Sequence, residues 1–246
     1  MVNIQNIVEN LNHMDVFTRA DMQSIMVEHG LHATASSTSH MINRLMASGD
    51  IARVGRNQYC VSSDGHLYSY DHSDQVNALA EEIRKAHPYL DFRIFELVQL
   101  NEFIDHQIAN NIIFVSVESD LGGYVFDTLW ENHHGSVLLR PAAEDVFRYL
   151  VDDLIIIGKL PSESPKGKPE FWDTRIEKML VDIAVDKLLR QIVSSGEYPA
   201  LFHNAIQKYT IDKSVMTRYA RRRGALDKFR RFLRNDARLP EEVFSI

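Results

Sequence analysis

The chain has 246 residues, 45% of them hydrophobic and 25% charged, with a formal net charge of −7 and one cysteine. That length and apolar content suffice for one or two domains with substantial cores, whereas a lone cysteine excludes an intrachain disulfide framework or a cysteine zinc site. No basic-then-apolar leader opens the sequence and no apolar run approaches the roughly 18 residues of a membrane span, so a soluble, cytoplasmic protein without a membrane partner is expected.

An amphipathic helix is expected over residues 4–11. Thr18 then stands as the cap of a second helix, with Asp21 three residues on in the capping-box position, and Gly30 ends it. After a turn over 31–35, Ser36 or Ser37 is expected to cap a further helix with Met41, Ile42, Leu45 and Met46 inward, stopped by Gly49-Asp50. Residues 51–54 and 58–61 read as strands around Gly55-Arg56-Asn57, a hairpin turn. Helix, turn, helix and hairpin in that order read as an N-terminal winged helix-turn-helix over residues 1–65, closed by Ser62-Ser63-Asp64-Gly65.

The helix after the turn of such a module commonly enters a DNA major groove. Its outward residues Ser37, Ser39, His40, Asn43 and Arg44 are the candidate contacts, because Asn and Arg pair bidentately with adenine and guanine edges and Ser reaches phosphates or bases. Arg53, Arg56 and Asn57 on the wing are candidates for phosphate or the minor groove. Residues 1–61 carry four basic and five acidic side chains, so this module alone neutralises few phosphates. The alternative use is protein docking.

Residues 66–246 read as a second domain. A helix is expected over 75–86, stopped by His87-Pro88, followed by strand 92–97, helix 100–108, strand 112–117, helix 122–131 with Val125, Phe126, Leu129 and Trp130 inward, strand 137–139, helix 143–151 and strand 154–157. Such alternation indicates an α/β layer with a parallel or mixed sheet. A polar, proline-rich loop over 161–169 leads into helices over 174–191, 196–208, 212–223 and 226–233, then a tail. The expected fold class is therefore α/β, a winged helix followed by an α/β domain that ends in a helical bundle.

Charge is unevenly spread: residues 62–170 sum to −11 and residues 171–246 to +5. Arg218, Arg221, Arg222 and Arg223 crowd one predicted helix, and a phosphate backbone or the acidic middle region would each balance them. Glu177 and Asp182, with Lys178, read as a helix start and helix pairing. Catalytic patterns are missing. Gly135-Ser136 is followed by no aspartate pair, as a nucleotidyltransferase needs, and Asp91 and Glu118 lack the Lys two residues beyond the second acid that a magnesium-dependent nuclease uses, position 120 being Asp120. Neither phosphate-cradling glycine loop nor nucleophile elbow is present, and His133-His134 has no partner at metal-ligand spacing. No enzyme, metal or cofactor is expected; a nuclease-like scaffold is the remaining catalytic alternative.

Residues 174–182 (Thr-Arg-Ile-Glu-Lys-Met-Leu-Val-Asp), Lys208-Tyr209 and residues 218–223 (Arg-Tyr-Ala-Arg-Arg-Arg) resemble motifs of the AbiEi-type antitoxins of abortive-infection (type IV) toxin-antitoxin systems, in a branch of transcriptional regulators. Residues 103–107 and 114–118 are similar to that branch's middle-domain pattern, departing from it after Glu118, where a Lys is expected. The resemblance implies a DNA-binding autorepressor that recognises inverted repeats in double-stranded DNA upstream of its operon, a homodimer on DNA, and a nucleotidyltransferase-like toxin as functional partner. It also implies a positive C-terminal surface facing DNA, here Arg218, Arg221, Arg222, Arg223, Lys228, Arg230, Arg231 and Arg234. An adaptor that neutralises a toxin by direct binding is the rival reading.

Overall fold

Amphipathic spacing near the N-terminus produces three short helices, α1 (Ile4–Leu11), α2 (Arg19–Glu28) and α3 (Ala35–Ser48), followed by the hairpin strands β1 (Ile51–Gly55) and β2 (Gln58–Val61). The computed structural model describes residues 4–14, 16–48, 50–61, 67–118, 120–167 and 170–240. The helix stop at Gly49, the closing segment 62–65, Ser119 and the tail beyond residue 240 lie outside them. Ile7, Leu11, Phe17, Ile25, Ile42 and Ile51 form a common core for the three helices and the hairpin. Phe17 also pairs its backbone with Tyr59, at 2.7 and 2.8 Å, and stacks on the Tyr59 ring. The hairpin thereby gains a third, one-residue strand that periodicity did not reveal.

The described residues divide into two compact units, one running to Tyr68 and including Ile206–Val215, the other formed by Ser69–Ala205 and residues 216–240. In the first unit, the Cys60 thiol is pushed up by burial, against a hydrogen bond with Thr210, and is therefore a packed strand residue, not a reactive thiolate.

The second unit is a mixed α/β layer. After α4 (Asp74–Ala86), capped by Ser73, come β3 (Phe92–Glu96), β4 (Ile112–Val117), α5 (Gly122–Asn132), β5 (Val137–Leu139), α6 (Ala143–Arg148) and β6 (Leu154–Lys159). The strand order is β3-β4-β6-β5, with β3 antiparallel to β4 and the other two pairings parallel. One face, with Ile94, Val115 and Ile157, is covered by Val76, Ile83, Val125 and Leu129 of α4 and α5. Then follow α7 (Ile176–Val185), α8 (Leu189–Ile192), α9 (Tyr198–Lys208), α10 (Lys213–Arg222) and α11 (Leu226–Asn235), the end of α9 and the start of α10 belonging to the first unit. Every residue of α7 is buried.

Four local expectations are corrected. The helix over 100–108 is instead a 3₁₀ turn, Leu97–Glu102. Asn101 bends the following loop back on itself, its side chain bonding Ile108 on both backbone sides at 2.7 and 3.0 Å, a local alternative to helical pairing. The helix over 174–191 breaks at Asp186, which is extended and whose Oδ1 accepts the amides of Leu188 and Leu189 at 2.9 and 3.2 Å. The cap of α3 is Thr34, not Ser36 or Ser37. Thr34 and Ser37 exchange side-chain and backbone hydrogen bonds at 2.8 and 3.1 Å. Trp130 is 41% exposed, stacked on Phe126 at the edge of α5. Among the described residues, no helix is long and apolar enough to cross a membrane.

Candidate nucleic-acid interface and buried ion-pair centre

In the first unit a capping box starts α2. The Thr18 amide donates to Asp21 at 2.7 Å and holds its carboxyl below the usual range, placing a negative charge where the helix dipole favours it. On α3, two of the candidate contact residues act locally: Ser37 Oγ donates to the His32 carbonyl at 2.9 Å and Ser39 Oγ to the Ala35 carbonyl at 2.7 Å. His40, Asn43 and Arg44 are exposed, and their i, i+3, i+4 spacing puts them side by side on one helix face.

On the hairpin, Arg53 Nε donates to the Gly55 carbonyl at 3.1 Å, and Arg56 is exposed. Asn57 takes the left-handed turn conformation (φ 56°), and its Oδ1 accepts the Arg19 amide at 3.2 Å. Asn57 is thus a brace between the turn and α2. Of the candidate contact residues in the module, Ser37, Ser39 and Asn57 are engaged locally, and His40, Asn43, Arg44, Arg53 and Arg56 are exposed.

In the second unit the arginine cluster separates into two kinds. Arg218 and Arg221 are exposed, and Arg222 pairs with Glu163 on the 161–167 loop. Arg223 is drawn inward to Asp182 and, at 3.2 Å, to Asp186, both carried by or next to α7. It is therefore a structural ion-pair residue and not part of an outward basic face. Burial opposes its charge, but Asp182 and Asp186 outweigh burial and push its pKa up.

Asp182 is the hub of this centre. It accepts from Lys178 Nζ at 2.5 Å, from Tyr219 OH at 2.9 Å and from Arg223. Burial, reinforced by the Asp182 charge, pushes the Tyr219 phenol up, so it remains a donor. Lys228, which the resemblance places on the positive surface, donates to the Val185 carbonyl at the end of α7 at 2.6 Å. A cavity of about 220 Å³ opens beside the hub, between α7 and the sheet face that carries Phe95, Phe114 and Ile156.

Two further buried polar centres organise the unit. Arg93, whose side chain is fully buried, donates to Asp91 at 2.7 Å and to the Pro165 carbonyl at 3.0 Å, pinning the proline-rich loop to β3. His72 lies between Glu96 (2.7 Å) and Asp173 (3.4 Å), with the Tyr70 and Trp172 rings against it. Burial disfavours its charge, but the hydrogen bonds and charges of Asp173 and Glu96 prevail and raise its pKa.

Among the described residues no group of three or more His, Cys, Asp or Glu side chains is arranged to hold a metal ion. Asp91 and Glu118 do line one open groove together with Lys159, but Asp91 is engaged by Arg93.

The family of unknown function DUF6577 matches residues 37–238, from the first turn of α3 to beyond α11. The chain belongs to DUF6577. That match takes in most of α3, the hairpin and all the regular elements of the second unit. No curated protein matches the chain. Among solved structures, this DUF6577 chain is similar to one described as the crystal structure of RV2827C protein from Mycobacterium tuberculosis, at 12% identity, over 92% of this chain and 76% of that one, with a TM-score of 0.30.

Of the buried centres, only the helix pairing of Lys178 with Asp182 was foreseen from the sequence. The pointer that was available lies in α7, where Lys178 and Asp182 stand four apart in a mainly apolar helix, a spacing that pairs them on one face. Nothing local points to the burial of Arg93, which rests on the remote Pro165 carbonyl beside its neighbour Asp91, or to the His72 triad, whose members are remote in sequence.

Proposed function

We propose that this chain is a sequence-specific DNA-binding transcriptional repressor, the autoregulating antitoxin of a toxin-antitoxin operon whose toxin is nucleotidyltransferase-like. The observation that carries this reading is the first unit: three helices and a hairpin in winged-helix order, with His40, Asn43 and Arg44 side by side and exposed on α3. Those residue types suit base edges in a major groove. Arg53 and Arg56 on the hairpin supply charge for the flanking backbone. The antitoxin part of the reading rests on the sequence motifs of the C-terminal half.

Fluorescence anisotropy with DNA from directly upstream of the gene, against scrambled DNA, tests it. At least tenfold preference for the upstream sequence is expected. Arg44→Ala should reduce that preference by about 1–3 kcal/mol. Weak and equal binding to both sequences would overturn the reading, and equal losses on both for Arg44→Ala would remove α3 as the base-reading element.

A further inference from the structure

The cavity beside the ion-pair centre has features that neither packing nor the DNA reading requires. Its roof is the sheet face opposite α4 and α5. There the register sets Phe114 beside Ile156 and Ser116 beside Gly158, a bulky pair followed by a small pair. Phe95 stacks on Phe114 with centroids 5.8 Å apart and an interplanar angle of 26°, giving a flat aromatic wall. Opposite it stand Met179 and Leu189.

Gly158 is the informative residue. A glycine inside a strand weakens the strand, and it commonly marks a bulge or a place where something approaches closely. Gly158 shows no left-handed φ, and a Cβ there would meet nothing within 4 Å. Gly167 differs: a Cβ there would collide with the backbone of Asp173. Neither strain nor crowding accounts for Gly158. The missing side chain leaves the cavity open.

The charges around the cavity are biased. Arg140, Lys159, Lys178 and Arg223 line it against two carboxylates, Asp182 and Asp186. Both carboxylates are already occupied, Asp182 by Lys178, Tyr219 and Arg223, and Asp186 by Arg223 and the amides of Leu188 and Leu189. Lys178 and Arg223 are neutralised by these same carboxylates, so with four cations against two carboxylates in the lining the surplus of positive charge lies at the rim, where Lys159 is exposed.

We propose that this cavity is a binding site for a small organic anion with a flat apolar body, an arene carboxylate or arene phosphate. The apolar body lies against Phe95 and Phe114 under Gly158. The anionic group faces the rim that carries Lys159 and Arg140. Apolar walls with a few convergent polar groups are the usual make-up of small-ligand sites.

Ligand-observed NMR on the full chain tests this with benzoate and phenyl phosphate, and with benzylammonium as the cationic counterpart. Saturation transfer to both anions and none to benzylammonium is expected. Gly158→Leu places a side chain in the open space and should weaken both anions at least tenfold, with thermal unfolding showing that the variant is folded. Lys159→Glu, an exposed change that does not threaten folding, should weaken them several-fold by reversing the rim charge. No transfer from either anion, undiminished binding in both variants, or benzylammonium binding as well as benzoate would overturn the proposal. The result is independent of whether the chain binds DNA.

Discussion

His72 is where a single side chain ties fold stability to pH. Its charged form is held between Glu96 and Asp173, and its folded pKa lies above the ordinary value of about 6.5. A raised folded pKa means that the native state holds the proton more tightly than the unfolded chain. The stabilisation is thus fully present below the ordinary value and disappears as pH rises through the folded one. Thermal unfolding between pH 5.5 and 8.5 should show a midpoint that falls across this window, and His72→Gln should lower the midpoint most at the acidic end and flatten the profile. A variant whose profile keeps the wild-type slope would show that other groups carry it. Asp182 makes a second residue-scale case. Asp182→Ala leaves the buried Lys178 ammonium without its carboxylate, a change that typically costs about 3–5 kcal/mol. Arg218→Ala, on the exposed side of α10, should stay within about 0.5 kcal/mol. Urea denaturation of the two variants measures the contrast. The His72 centre was not legible in the sequence, because His72, Glu96 and Asp173 come together only when β3 and the segment before α7 are in place, and local periodicity carries no information about such meetings. Of the Asp182 centre only the i, i+4 pairing with Lys178 was legible, not the arrival of Tyr219 and Arg223.

At the scale of elements, much was legible wherever one periodicity ran without competition. The strands Val137–Leu139 and Ile112–Val117 and the helix Ile4–Leu11 lie where their patterns put them. The misplacements came where a polar side chain competes with the backbone ladder, as Asn101 does after the 3₁₀ turn and Asp186 does at the end of α7. The start of α3 is such a case and can be tested. Thr34 and Ser37 satisfy each other's amides, so Thr34→Ala should cost about 1 kcal/mol, whereas Ser36→Ala, an exposed change within the first turn, should be nearly neutral. Urea unfolding curves for the pair decide between them; the reverse order would return the cap to Ser36. The exposed set on α3 was legible as a face but not in its membership, since Ser37 bonds to the turn before the helix and Ser39 to its own helix.

At the scale of the whole molecule, the governing quantity is charge. A chain with net charge −7 is repelled by DNA at long range, so binding must come from locally basic surface. Among the described residues such surfaces include Arg44, Arg53 and Arg56 in the first unit, and Arg218 and Arg221 on α10 with Arg230 and Arg231 on α11 in the second. They differ in what they would read. Each phosphate contact releases condensed counterions and adds about 0.9 to the slope of log affinity against log salt, whatever the sequence. If α10 contacts the backbone, Arg218→Ala combined with Arg221→Ala lowers affinity equally for upstream and scrambled DNA and reduces that slope by about two, while the preference between the sequences is untouched. Arg223→Ala is a poor probe of the same surface, because its guanidinium is held by Asp182 and Asp186 and its loss acts through stability. A salt series on the double variant from about 50 to 200 mM, spanning the range over which such contacts change affinity strongly, separates the alternatives. An unchanged slope takes α10 out of the backbone contact and leaves its exposed arginines to a partner other than DNA.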